Sequence, residues 1–423
     1  MPLVPPVSSV SSASKRLFLL AATLTTLTTF TAATPHPPAP PPQKPVVLLV
    51  SFDGFRADYL DRPAAVHLRA LAARGVRAER LIPSFPAKTF PNHYTIVTGL
   101  YPEHHGISAN VMLDPILGRF ATGNDPSGRD ARWWAGEPIW VTAAKQHMNS
   151  GIIFWPGNEA PIGGVRPRWW QTYDGAFTNT QRVQRVLDWV AMPGDTAPQF
   201  IGVYFSDTDD AGHKYGPMSA HTDSAIARAD SAIGALMRGI DALGATTRVN
   251  LIVVSDHGMA EIAHDRLIPL YDYVSRDSVT VVDMEPVSSI IPKPGAEAYV
   301  YRALKGAHPH LQVWRKGELP ARYHYNTGAR ITPIVALADE GWTVVASRDS
   351  TVLREGQLRG AHGYDNQLPS MGALFIAAGP AFKRGVRVAP FENVNVYPLM
   401  AAVLGLRPAP NDGAEAVVRA VMR

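Results

Sequence analysis

Three apolar runs organise the chain. Val46–Phe52 reads VVLLVSF, Phe200–Phe205 reads FIGVYF, and Val249–Ser255 reads VNLIVVS. None alternates cleanly between apolar and polar, so each predicts a strand buried on both faces, as in a parallel sheet covered by helices. Each run stops at carboxylate or imidazole side chains: Asp53-Gly54 after the first, Asp209 to His213 after the second, Asp256-His257-Gly258 after the third. Between and around them lie segments of helical period: Ala64–Arg74, ending at Gly75 as a C′ glycine, then Thr180–Val190 and Thr222–Leu243. Strands alternating with helices predict an α/β fold, a doubly wound, mostly parallel sheet with helices on both faces. In such sheets the chemistry lies just beyond the carboxyl ends of the strands.

Other stretches carry weaker patterns. Val76–Ile82 reads as a short strand. Thr89-Phe90-Pro91 is a helix start with proline in the first turn, so Thr89 is either a plain N-cap or a hydroxyl placed where helix N–H groups favour a phosphate. Tyr101–Gly106 reads as a loop leading to Asn110, and residues 111–170 are rich in Trp, Gly and Pro with few clear elements. From Val279 to Ser347, short apolar segments and prolines predict a small inserted antiparallel subdomain. The main pattern resumes with Gly360–Asn366, a strand Ala373–Ala377 and a closing helix Val396–Leu404.

The amino-terminal region has a different texture. Lys15-Arg16, apolar Leu17–Phe30 and small Thr31-Ala32-Ala33 predict a cleaved signal peptide over 1–33. Residues 34–45 then form a proline-rich tether. The expected domain is 46–423 with its insertion at about 279–347, in a periplasmic or secreted protein.

Composition narrows the chemistry. The chain has 423 residues, 46% hydrophobic and 18% charged, which suits one large α/β domain with insertions. The formal charge of +4 comes without a long run of like charge, so no nucleic-acid-binding module is indicated. No later stretch is apolar enough for a stable membrane span. With no cysteine, disulfides, thiolate metal sites, a cysteine nucleophile and a lipoprotein anchor are all excluded. Any metal must be held by His, Asp or Glu.

The strand ends supply such a set. Asp53, Thr89, Asp256 and His257 could hold one ion, and Asp209, His213 and His362 a second; carboxylate oxygen with imidazole nitrogen suits zinc. Two ions about 3.5–4 Å apart clamp an in-line displacement at phosphorus. Thr89 is the one plausible nucleophile on a helix N-terminus. Singly, each histidine reads as structural or surface; together the residues read as a site.

Several motifs resemble the nucleotide pyrophosphatase/phosphodiesterase family of the alkaline phosphatase superfamily. They are Ser51-Phe52-Asp53-Gly54-Phe55-Arg56, Lys88-Thr89-Phe90-Pro91-Asn92-His93, Asp209 through Gly212-His213 to Gly216-Pro217, Ser255–Met259, and Gly360 through His362 to Asn366. The similarity runs in order from about Val46 to Gly413. It implies an alkaline phosphatase-like fold, two zinc ions on the ligands above, and a covalent intermediate on Thr89. It also implies that Asn110 donates to a phosphoryl oxygen, and that Phe90, Tyr173 and Tyr204 flank a nucleotide base. Core packing is the alternative for all three, and most of all for Tyr204, which lies inside a strand run. One departure is Asp207-Thr208, where many relatives have Glu-Pro.

The implied activity is hydrolysis of nucleotide phosphodiester or pyrophosphate bonds to nucleoside monophosphates. Alternatives are a phosphomonoesterase or choline-phosphodiester hydrolase of the same superfamily. A sulfatase is disfavoured, because Lys88 stands where arginine is wanted after Ser84 and cysteine is absent. The non-enzyme alternative is a secreted binding protein with an inactive metal site, using Trp133-Trp134 and Trp169-Trp170 as its surface.

Overall fold

The computed structural model describes residues 44–123, 125–348 and 358–423. The expected signal peptide and nearly all of the proline-rich tether lie outside the described residues. Eight strands form the central sheet: β1 (Val46–Phe52), β2 (Val76–Ala78), β3 (Ser150–Ile153), β4 (Trp169–Gln171), β5 (Phe200–Phe205), β6 (Val249–Val254), β7 (Phe375–Ala378) and β8 (Val386–Val388). Their order is β8-β2-β7-β6-β1-β5-β3-β4. All are parallel except β7, which runs antiparallel to β6 and β2.

β1 shows why this sheet needs helices on both faces. Its side chains alternate between two cores: Val47 and Leu49 face one, while Val46, Leu48, Val50 and Phe52 face the other. The first core is closed by α2 (Thr89–Thr98) and α6 (Val396–Leu404), the second by α1 (Val66–Arg74), α3 (Asn179–Ala191) and α5 (Ala220–Ala242). Because β5, β1 and β6 are adjacent and parallel, their carboxyl ends open on one edge and bring three segments together.

Several expectations are corrected. Gly75 ends α1 with φ −130°, not in the left-handed region of a C′ cap. A Cβ there would lie 2.2 Å from the Ala377 carbonyl oxygen, so glycine is needed for the close passage of β7. Val76–Ile82 is two short strands, Val76–Ala78 and Leu81–Ile82. Residues 102–105 form a short helix rather than a loop. The segment 111–170, read as nearly structureless, contributes β3 and a helix at Ile139–Lys145. β3 has only four residues, one of them Gly151 against the Trp189 ring, too few to show a period. Asp209 and His213 stand on a helix, α4 (Asp207–Tyr215), not on a strand end. A helix at Glu415–Val421 was not foreseen.

The insertion is a four-stranded antiparallel sheet, Val279–Asp283, Val287–Pro292, Ile334–Ala338 and Leu311–Arg315 in spatial order, with its own apolar core. It is flanked by Leu267–Pro269 pairing in parallel with Thr343–Val345. Buried Lys88 ties it to the start of α2 through a 2.6 Å ion pair with Asp283. Trp133 and Trp134 are core residues, 1% and 4% exposed, which removes them as a surface for a binding protein.

Candidate active site

Asp53 follows β1 directly. Its N–H donates to the Phe205 carbonyl at 2.9 Å, and the next two N–H groups donate to Asp256 Oδ1 and Ser255 Oγ. These bonds lock the ends of β1, β5 and β6 to one another. Gly54, at φ +65°, makes the turn, and a Cβ there would meet the Asp209 backbone at 2.9 Å. Asp209 is thereby pressed against the end of β1.

Distances show which side chains gather. His257 Nε2 lies 3.0 Å from Asp256 Oδ2, 3.4 Å from Asp53 Oδ1 and 3.3 Å from Thr89 Oγ1. Asp209 Oδ1 lies 3.5 Å from His213 Nε2 and 3.7 Å from His362 Nε2. The His257 and His362 rings stack at 3.6 Å, joining the two groups. All seven candidate ligands are thus in one place.

The donor chemistry fits divalent cations. Each of the three histidines directs Nδ1 at a backbone carbonyl 2.8 Å away: His213 at Gly360, His257 at Gly258, His362 at Ala87. That fixes the tautomer and leaves Nε2 with its lone pair toward the cluster. Asp53 Oδ1, Asp209 Oδ1 and Asp256 Oδ2 are buried without a hydrogen-bond partner. Three orphaned carboxylate oxygens beside three free imidazole nitrogens are costly unless cations compensate them.

Electrostatics agree. Burial, with the charges of Asp256 and Asp209, pushes the Asp53 carboxyl well above its ordinary range. Burial would raise Asp256 too, but His257 and His93 beside it hold it well below. Burial works to lower His257, and the Asp256 charge outweighs it, leaving a net rise. Burial and the neighbouring His257 and His213 push His362 down, so it stays neutral.

Proximity alone would also group His93 with Asp53 and Asp256. Its nitrogens are occupied, however: Nε2 pairs with Ser51 Oγ at 2.9 Å and Nδ1 with the Thr89 carbonyl at 3.0 Å. His93 therefore buttresses Thr89 and Asp256 from behind. Sequence reasoning passed over it, although it lies four residues after Thr89 and so on the same helix face.

Thr89 is the first residue of α2; the cap is Lys88, and no side chain caps the helix. The plain N-cap reading of Thr89 is thus overturned, and its hydroxyl is available to the pocket. Asn110 Oδ1 accepts the Phe90 N–H at 3.0 Å, which turns its amide nitrogen the other way. A pocket of about 320 Å³ is lined by Asp53, Thr89, Asp209, His213 and His362 together with Asn110, Phe90 and Tyr173. Phe90 packs on Phe120 and Trp134, and Tyr173 on Phe154. Tyr204 also lines it, but its hydroxyl donates to Asp53 Oδ2 at 2.7 Å. It orients Asp53 and leaves Oδ1 facing the cluster, a role the base-flanking expectation did not include. Tyr204→Phe should lower metal affinity or activity about 10–100-fold, as loss of a ligand-orienting bond does; zinc titration of the two proteins measures it.

Comparison with known proteins places this arrangement. The model of the family "type I phosphodiesterase / nucleotide pyrophosphatase" matches residues 47–365. A bis(5'-adenosyl)-triphosphatase of Mus musculus is 40% identical over 373 residues, covering 87% of this chain and 79% of that protein. Ectonucleotide pyrophosphatase/phosphodiesterase family member 5 of Homo sapiens is 37% identical over 369 residues, covering 87% of this chain and 76% of that protein. The solved structure of murine ectonucleotide pyrophosphatase/phosphodiesterase 5, an inactive Thr-to-Ala variant in complex with AMP, superposes with TM-score 0.83 at 36% identity, covering 90% of this chain and all 100% of that one. The chain belongs to the type I phosphodiesterase/nucleotide pyrophosphatase family, whose members are hydrolases, and its fold is alkaline phosphatase-like.

Proposed function

We propose that this chain is a two-zinc phosphodiesterase that cleaves nucleotide phosphodiester or pyrophosphate bonds to nucleoside monophosphates through a covalent intermediate on Thr89. The observation that carries the reading is the convergence of orphaned carboxylate oxygens and free imidazole nitrogens on the Thr89 hydroxyl. Asp53, Thr89, Asp256 and His257 would hold one ion, and Asp209, His213 and His362 the other. When bound, the pair supplies positive charge to the phosphoryl group and to the departing oxygen.

The protein's own groups do the rest. Thr89 Oγ1 forms the bond to phosphorus as the ester or pyrophosphate oxygen leaves, and water then opens the Thr89 ester, giving retention over two inversions. The Asn110 amide donates to a non-bridging oxygen, where preorganised donors stabilise developing charge. Phe90 and Tyr173 offer ring faces to a base, and Tyr204 holds Asp53 in place. Names of relatives and the AMP complex of a neighbour support a nucleotide in this pocket.

We assign 1–33 to a cleaved export signal and 34–45 to a tether, with 46–423 as the catalytic domain, periplasmic or secreted. No helix among the described residues is long and apolar enough to cross a membrane.

The deciding assay compares a chromogenic phosphodiester, a monoester and a sulfate ester on protein of measured zinc content. The diester should exceed the others by at least about tenfold in kcat/KM, a 1.4 kcal/mol preference. A monoester turned over faster than the diester would assign the site to a phosphomonoesterase.

A further inference from the structure

The part of the pocket lining that carries no candidate metal ligand has its own construction. After β3 the chain turns at Phe154, whose φ of +64° is a backbone state that bulky side chains rarely adopt. The turn carries Asn158 and Glu159 to the pocket wall, where Asp125 and Arg129, at the Pro126–Arg129 turn, also stand. Both carboxylates there are occupied. Glu159 Oε1 accepts the Tyr173 N–H and Oε2 the Arg129 Nε–H, each at 2.9 Å. Asp125 Oδ1 accepts the Ser127 N–H at 2.9 Å.

Arg129 is not used up. Glu159 holds it by Nε alone, and its two terminal nitrogens have no protein partner among the described residues. A guanidinium is donor-only, with its terminal N–H groups in a rigid fork. What it can accept at this place depends on the edge of the base lying between Phe90 and Tyr173. Guanine presents two adjacent acceptors, O6 and N7; adenine places its N6 amino group beside N7 and beside N1, and the fork repels it on either edge. Asn158, also on the wall, carries both a donor and an acceptor on its amide and so does not separate these bases.

We infer that Arg129, oriented by Glu159, is a specificity residue that selects guanine nucleotides over adenine nucleotides. The inference rests on the nucleotide-hydrolase reading above. Glu159 does not meet the base in this arrangement; it ties the guanidinium and the Tyr173 backbone into one wall, so fork and ring face keep a fixed relation. The Arg129 side chain is 49% exposed, which places the expected discrimination at the low end for a bidentate pair, about tenfold.

The test uses p-nitrophenyl esters of guanosine 5'-monophosphate and adenosine 5'-monophosphate, with bis(p-nitrophenyl) phosphate as a base-free reference. The wild-type protein should show a guanylate-to-adenylate ratio in kcat/KM of about ten. In Arg129→Met the ratio should fall toward one, through a higher KM for the guanylate ester. A partly misfolded variant lowers all three rates alike and leaves the ratio intact. A wild-type ratio of one or less, or a ratio that survives Arg129→Met, overturns the proposal alone. Turnover of the base-free ester without either nucleotide ester would overturn both the proposal and the nucleotide reading beneath it.

Discussion

Thr89→Ala will lose at least about a thousandfold in phosphodiester turnover while keeping its fold. The two halves of that expectation have separate causes. While the Tyr204 hydroxyl is bonded to Asp53, Thr89 Oγ1 sits 3.3 Å from His257 Nε2, against the carboxylate cluster. Deleting it leaves positioning and charge stabilisation without a group to bond to phosphorus, and such remnants sustain only slow attack by water. The fold should hardly notice, because Thr89 caps nothing and Lys88 occupies the cap position. A melting temperature close to wild type, together with loss of a covalently labelled protein after acid quench, would separate chemistry from folding. A variant that still forms the labelled intermediate would remove Thr89 as nucleophile.

How much of this was legible in the sequence follows from range. β1, β5 and β6 announce themselves because strands buried on both faces must be apolar throughout, and the first and third runs end where a ligand begins. Their adjacency cannot be read along the chain: β1 pairs with β5 and β6 and not with β2, the strand next to it in sequence. β3 stayed hidden because four residues including Gly151 carry no period, and Gly151 is covered by Trp189 from a helix distant in sequence. The ligand types were readable at each motif. The partners that orient them, Ser51 with His93 and Tyr204 with Asp53, lie 42 and 151 residues apart. The same holds for Arg129 and Glu159, which pair across 30 residues.

Stripping the metal with a chelator should abolish phosphodiester turnover by at least about a thousandfold, roughly 4 kcal/mol of charge stabilisation, and zinc should restore it. It should also leave a protein whose stability depends on pH in a specific direction. Asp53 is held above its ordinary value, so its contribution is complete in acid and is lost as pH rises through the raised value. His257, also raised, follows the same course, complete below about 6.5 and lost above it. Asp256 and His362 are lowered and act oppositely: their contributions are lost in acid, and are complete above about 3.9 and about 6.5 respectively. Above about pH 6.5 the two lowered groups no longer change, while His257 still does. Bound cations hold Asp53 ionised and His257 neutral, which removes that decline. The gap in melting temperature between zinc-loaded and stripped protein should therefore widen as pH is raised from about 6.5, with ionisable groups outside the cluster cancelling between the two forms. Thermal melts of both forms across that range would measure it, and a gap that narrows with rising pH would mean the buried carboxylates and imidazoles do not bind the ions.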